Sequence, residues 1–452
     1  MYNADNQNHN KDAVAGPSSD ESPPKIFNLT IDCFDEIFEY LNVKDLYSFG
    51  QTCKRMNKVA GEYFKQNYSS AEKFCKHDEI YTYIVFSVKD SVVNERIQIS
   101  GFNKFMPCIS VGYHKYNKFH INAFESTKHI YLASIIINKE KVELFKQLLP
   151  QLEIVQQQCC SVDGDLYDLI LKKCENLREI YIQNWALGNR INGNFNWLLQ
   201  EYPKLERLEW MPPKSCQIEE LRKFFVRNPN VQRFSTTSEF WWYNRNIFLS
   251  SNIKLDILEL KEFDFYCTKT SKIPLDSLNQ LHEQGFYKRL YIYVDRVDEE
   301  FSTLLASLKG LELLCIRRLN ESYNLTQLTN LRELIILAGA KAKYMEILAN
   351  GLTKLERFYI DRASIEDIMP FIRRSPKLNK IKFIPLFFPI GEALNLTMLN
   401  AERAKLAGAR KITIYTRDDV FLATKWTTRN GDTNLSFIEM RRSDSYEWNP
   451  YF

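Results

Sequence analysis

One pattern recurs through most of this 452-residue chain and limits what it can become. The stretches "NLREIYIQ", "PKLERLEW", "PNVQRFST", "IKLDILEL", "KGLELLCI", "TNLRELII", "TKLERFYI" and "PKLNKIKF" all fit L-x-x-L-x-L. Counted from the first apolar residue, the units begin at Leu152, Leu177, Leu205, Val231, Leu255, Tyr287, Leu311, Leu331, Leu355 and Leu378, a mean step of about 25 residues. Further units are expected at Lys128 to Ser134 and at Ala409 to Tyr415. Two apolar residues two apart point to one side of a strand, and the residue three before them packs into the turn that feeds it. Between the strands lie helix-like segments such as "DLYDLILKKC", "EEFSTLLASLKG" and "SIEDIMPFIRRSP", each with one apolar face. One strand and one helix leave that face wet, whereas stacked units bury it against their neighbours. The predicted fold is therefore α/β, a curved solenoid with strands on the concave side and helices on the convex side. The long step from Leu255 to Tyr287 implies an extra loop and helix in "FDFYCTKTSKIPLDSLNQLHEQG".

Ahead of the array stands "LTIDCFDEIFEYLNVKDLYSFGQTCKRMNKVA", residues 29 to 60. Phe34, Ile37, Phe38 and Leu41 fall at i, i+3, i+4 and i+7 and share one helix face, with Asp32 placed to cap the start. A second helix from about Val43 carries Leu46 and Phe49, and a third carries Cys53, Met56, Val59, Ala60, Tyr63 and Phe64. Three short helices are near the lower size limit for independent folding. Part of their apolar surface is expected to be covered by another protein rather than by the rest of this chain.

The same residues resemble an F-box. Leu29, Ile37-Phe38, Tyr40-Leu41, Asp45-Leu46 and Cys53-Lys54-Arg55 match that family's pattern, while Thr30 stands where proline is usual and Met56 where tryptophan is usual. The array resembles leucine-rich repeats of the long, helix-containing kind. It departs from many of them at the eighth position, where an Asn often bonds along the stack and this chain has Trp185, Pro213, Glu239, Phe263, Asp295, Leu319, Gly339, Ala363 and Leu386. An irregular array follows, its turns satisfied case by case.

The expected organisation is a disordered polar tail (1–24), an F-box (25–70), a connecting and capping region (71–126), the repeats (127–416) and a C-terminal cap (417–452). The tail has almost no apolar side chains with which to repay ordering. In the cap, "DVFLATKWTTRNGDTNLSFIEMRR" reads as a hairpin of two alternating strands around Arg429-Asn430-Gly431-Asp432.

Sixty basic and 56 acidic residues give a formal charge of +4, which supplies no whole-molecule attraction to nucleic acid or an anionic membrane. Ten scattered cysteines have no C-x-x-C spacing and read as buried small hydrophobes. There is no phosphate-binding glycine loop, no H-E-x-x-H and no G-x-S-x-G, and the six histidines have no ligand-like spacing. No enzyme activity, cofactor or metal is expected. Without a signal-peptide core or an apolar run of about 18 residues, the cytoplasm or nucleus is the expected compartment.

On each strand the third, fifth and seventh positions of the unit face the hollow. Arg207, Arg233, Lys261, Arg289, Arg317, Arg357, Lys380, Lys382 and Lys411 fall there, against Glu179, Glu209, Glu259, Glu333 and Asp361, with Tyr181, Tyr291, Tyr293, Tyr359 and Tyr415. Tyrosine and arginine commonly anchor protein interfaces. The candidate substrate-binding set is thus Tyr181, Arg207, Arg289, Tyr291, Tyr293, Arg357 and Tyr359, for an unidentified protein whose surface is acidic or phosphorylated. The F-box resemblance implies that Leu29, Phe34, Ile37, Phe38, Leu41 and Leu46 supply or support a surface for a Skp-family adaptor, and through it a cullin-RING ubiquitin ligase. The rival is a repeat scaffold that binds its partner without leading to degradation.

Overall fold

The computed structural model describes residues 25–69, 71–76, 79–84, 95–112, 124–183, 191–212, 220–249, 252–261, 273–297, 299–319, 325–337, 342–385 and 393–443. The tail 1–24 lies outside these, as do the eighth-position residues Trp185, Pro213, Phe263, Gly339 and Leu386.

Three helices open the described chain: α1 (Ile31–Phe38), α2 (Val43–Gly50) and α3 (Lys54–Asn67). Thr30, not Asp32, caps α1. Its extended backbone lets the hydroxyl accept the Cys33 N–H at 3.5 Å, while Asp32 sits inside the first turn, where its charge favours the helix dipole. The threonine at the usual proline position thus does a job that proline has no side-chain acceptor to do. Asn42 caps α2 through its Oδ1, 2.9 Å from both the Lys44 and Asp45 N–H groups. Phe34, Phe38, Leu46, Met56, Ala60 and Phe64 are buried between the helices, and the Phe38 ring meets those of Phe49 and Tyr63 at 5.3 Å. Met56 fills its place in this core.

The array follows as one sheet of seventeen strands among the described residues. Ala71–Lys76, Glu79–Ile84 and Glu95–Ile97 form an antiparallel meander, and Ala71–Lys76 then pairs in parallel with Cys108–Gly112. From there every strand runs parallel to the one before it, through His129–Ala133, Ile154–Gln158, Glu179–Gln183, Arg207–Met211, Arg233–Thr237, Leu255–Lys261, Tyr287–Val294, Leu311–Ile316, Glu333–Ile336, Arg357–Ala363 and Lys380–Pro385 to Ile412–Thr416. The expected helices stand between strands, including Gly164–Lys172, Glu299–Ala306 and Ile365–Arg374. Fourth- and sixth-position residues such as Ile180, Ile182, Leu258, Leu260, Phe358 and Ile360 face the helices in the main core. A separate apolar cluster of Tyr293, Leu313, Cys315, Ile335, Leu337, Tyr359 and Ile384 lies on the inner side.

The expected C-terminal hairpin is absent. Residues Asp418–Thr427 form a helix, and Ile438–Arg442 pairs in parallel with Ile412–Thr416, completing another repeat. Leu435, Ile438 and Met440 keep the L-x-x-L-x-L spacing of that unit. The Asn430-Gly431 pair does take positive φ, 59° and 65°, but in a short 3-10 turn after a helix.

The α1–α3 module is likewise not left to an outside partner alone. Its aromatic core is continuous with that of the array: the Phe64 and Phe102 rings stand 5.3 Å apart, and Phe102 packs over Gly50. The last repeat reaches the other side of the module, so both ends of the solenoid meet on it.

The missing asparagine ladder is replaced locally. Arg403, fully buried, donates to the carbonyls of Ile372, Ser375, Pro376, Leu378 and Arg410 at 2.8–3.2 Å and so satisfies two turns at once. Asn176 and Asn230 each donate to a carbonyl of the preceding unit, Pro150 and Pro203, at 2.9 Å. Cys108, Cys160, Cys174 and Cys315 are buried as expected, whereas Cys33 is exposed.

Candidate interaction surfaces

On the helical module the six adaptor candidates divide by position. Phe34, Phe38 and Leu46 are fully buried and hold the module together from within. Leu29 and Leu41 are half-buried, and Ile37 stands 37% exposed on α1. Two isoleucines outside the candidate set are also open, Ile26 at 40% and Ile31 at 65%. The helix-face pattern missed them because Ile26 precedes α1 and Ile31 is its first residue, where no neighbouring turn covers the side chain. Ile26, Ile31 and Ile37 are thus open apolar side chains at the start of the module, and Cys33 is exposed as well, while Phe34, Phe38 and Leu46 are covered.

The inner wall has the predicted register but not the predicted openness. Parallel pairing sets Arg207 beside Glu179 and Arg233, and Glu209 beside Tyr181 and Ser235. Curvature then brings together strands that are two apart. Arg207 reaches Glu259 at 2.8 Å and Glu209 at 3.2 Å, Lys261 reaches Glu209 at 2.8 Å, and Arg233 pairs with Glu259. Glu259 also accepts the hydroxyls of Ser235 and Tyr293. Burial alone would raise its pKa, but Arg207, Arg233 and Lys261 hold it well below the usual carboxylate range. Burial lowers the pKa of Lys261, against the pull of Glu209 and Glu259.

The tyrosines stack on these same cations. Arg207 lies 4.8 Å from the Tyr181 ring centre, Arg233 5.5 Å from that of Tyr291, Lys261 5.5 Å from that of Tyr293 and Lys382 5.0 Å from that of Tyr359. Of the seven substrate candidates, Tyr181, Arg207, Tyr293 and Tyr359 are buried, Arg289 and Tyr291 are half-buried, and Arg357 is exposed. Arg289, Tyr291, Arg317, Arg357, Lys380 and Lys411 are among the inner-wall residues that stay accessible, and Tyr291 packs against the inner apolar cluster. Glu333 lies beside it, with Arg357 4.0 Å away, and burial pushes its carboxyl up to about 7. Among the described residues no group of three or more His, Cys, Asp or Glu could hold a metal ion. No described helix is long and apolar enough to cross a membrane.

Comparison with known proteins bears on the helical module first. A family model, the F-box domain, matches residues 26–63, which run from the turn before α1 into α3. The module is an F-box. It is followed by the parallel-strand solenoid of leucine-rich-repeat type. No curated protein matches the chain. Among solved structures it is similar to a chain of the crystal structure of a TLR13–ssRNA13 complex, at 13% identity and a TM-score of 0.34. That match covers 76% of this chain and 54% of the other, so the chain spans about half the length of its structural neighbour. The F-box carries the open Ile26, Ile31 and Ile37, and the array carries the accessible Arg289, Tyr291 and Arg357.

Proposed function

We propose that this protein is the substrate-recognition subunit of an SCF-type cullin-RING ubiquitin ligase, working in the cytoplasm or nucleus. Its F-box docks on a Skp-family adaptor through Ile31 and Ile37, with Leu29 and Leu41 at the margin. A substrate protein is held on the inner wall, by Arg289, Tyr291 and Arg357. The chain does no bond chemistry of its own. It contributes proximity, converting an encounter between two solutes into one within a single complex. The observation that carries this is the F-box itself, with Ile31 and Ile37 open on its first helix, since exposed isoleucines are better served by a partner than by solvent.

Co-purification with a Skp-family adaptor tests it. Wild-type protein should capture the adaptor, and Ile31→Asp with Ile37→Asp should abolish capture while circular dichroism stays unchanged. Failure of the wild type to bind would remove the ligase assignment. The ligase role separates from a non-degradative scaffold by turnover: deletion of the F-box should make the bound partner accumulate, and an unchanged partner level would favour the scaffold.

A further inference from the structure

The end of α1 is the place where the last repeat meets the F-box. The chain turns there from α1 into α2, and the carbonyls of Glu39 and Leu41 take no backbone N–H among the described residues. They are capped from the far end of the sequence. Nη2 of Arg442, on the last strand, donates to the Glu39 carbonyl at 2.9 Å, to that of Leu41 at 2.8 Å and to that of Phe38 at 3.3 Å. Its Nη1 bonds the Tyr68 hydroxyl at 2.6 Å and the Asp418 carboxylate, whose other oxygen accepts from Tyr68 at 3.1 Å. Arg442 and Asp418 are both buried, so the charge pair is closed within the protein.

The neighbouring contacts follow the same line. Lys425, 3% exposed in its side chain, bonds Glu39, lies 3.6 Å from Glu36 and sits over the Tyr40 ring at 4.6 Å. The Tyr40 hydroxyl meets the Asn430 carbonyl at 3.4 Å, and a Cβ added to Gly431 would stand 1.8 Å from that hydroxyl. On the other flank of the F-box, Phe105 occupies the space over Gly61 and Phe102 that over Gly50. The F-box is thus wedged between the first and last repeats.

We propose that the last repeat is a working part of the adaptor-docking module, with Arg442 and Lys425 as positioning residues that hold residues 36–42 in the one shape that presents Ile37 and Leu41 together. This rests on the adaptor assignment made above. Arg442 touches no partner. It acts by fixing the backbone that carries the contact, and a guanidinium suits this because its fork of donors can serve a carboxylate, a hydroxyl and several carbonyls at once. A chain without its last repeat would lose the cap on α1, so the docking module responds to whether the array is complete.

The test uses the full chain and a purified Skp-family adaptor. Arg442→Met combined with Asp418→Asn removes the clasp without stranding a buried charge. Lys425→Met is the milder second variant, because its partners Glu36 and Glu39 can be solvated. Two readouts are taken: amide hydrogen exchange across the protein, and association and dissociation rates for the adaptor. In both variants, exchange at residues 39–42 should quicken at least tenfold, while the strands from Glu179 to Lys261 keep wild-type protection. Adaptor affinity should fall at least tenfold in the double variant, and the loss should lie in association rather than dissociation, because the docking shape is populated less but is unaltered once bound. Variants that bind within twofold of wild type, or that leave residues 39–42 as protected as before, overturn the proposal while the adaptor assignment stands. Wild-type protein that binds no adaptor overturns both.

Discussion

The inner wall gives the sharpest quantitative expectation, for replacement of Glu259 by alanine. Its carboxylate is fully buried and serves Arg207, Arg233, Ser235 and Tyr293 together. Without it Arg207 and Lys261 share Glu209, and Arg233 loses the carboxylate that faces it. Breaking a buried ion pair by removing one partner costs about 3–5 kcal/mol, because the other charge is left without compensation. Arg207 and Lys261 are buried and bear that cost, whereas Arg233 is half-exposed and can turn toward water, which places the expectation near the lower end, about 3 kcal/mol. A repeat array need not unfold in one step, so the assay is native-state hydrogen exchange on the strands Arg207–Met211, Arg233–Thr237 and Leu255–Lys261. Their opening free energies should drop by that amount, with strands beyond Lys380 unaffected. Glu259→Leu with Arg233→Met, which removes one charge of each sign, should recover most of the loss. A drop of less than about 1 kcal/mol in Glu259→Ala would show that these cations are already well solvated, and the closed wall described here would be wrong.

Other expectations follow from single contacts. Glu333 has its ordinary carboxyl pKa of 4.5 raised by burial to about 7, so the folded state holds a proton that the unfolded state has released; stability should fall as pH rises from 4.5 through 7, by up to about 3 kcal/mol, and Glu333→Gln should remove that slope in urea titrations across this range. Phe38→Ala empties a core site lined by Phe34, Phe49 and Tyr63 and should cost about 3–5 kcal/mol in F-box stability, whereas Ile37→Ala, at a half-open position, should cost well under half as much in thermal melts. At Gly61 an added Cβ would fall 1.9 Å from the Phe105 ring, so Gly61→Ala should destabilise by about 1–3 kcal/mol, and a double-mutant cycle with Phe105→Leu should show favourable coupling between the two changes.

The register of the array was legible because strand alternation is local. Once Leu177 is placed, Ile180 and Ile182 must face the helices and Tyr181 the hollow, and they do. What the inner residues do there was not legible. Arg207 and Glu259 are 52 positions apart, and only the curvature of the sheet tells whether they meet each other or a partner. The F-box candidates show the same limit, since periodicity selected Phe34, Ile37, Phe38 and Leu41 for their shared face, and it could not tell that Phe34 and Phe38 close the interior while Ile37 stays open. The misread hairpin has a different cause. Val420, Phe421, Leu422, Ala423, Thr424 and Lys425 are all buried, so the last helix offers no polar side and its sequence carries little 3.6-residue signal. The Asn430-Gly431 pair then suggested a tight turn, correctly for its backbone angles and wrongly for its neighbours. The part played by Arg442 had no signal of its own, because a cap supplied from about 400 positions away leaves no spacing to read.

An open stack of repeats can gain or lose a unit with little harm, because each unit touches only those beside it. This protein has given up that freedom. Its last turn is fitted to the F-box, where a single guanidinium lies within 3.3 Å of three carbonyls, and its first turn packs on the other flank of the same module. Excising one whole unit would shorten the arc by roughly 4.8 Å and pull that seam apart. Growth or trimming is therefore expected inside the loops between strands, with the tally of strands held constant by the circumference they have to span.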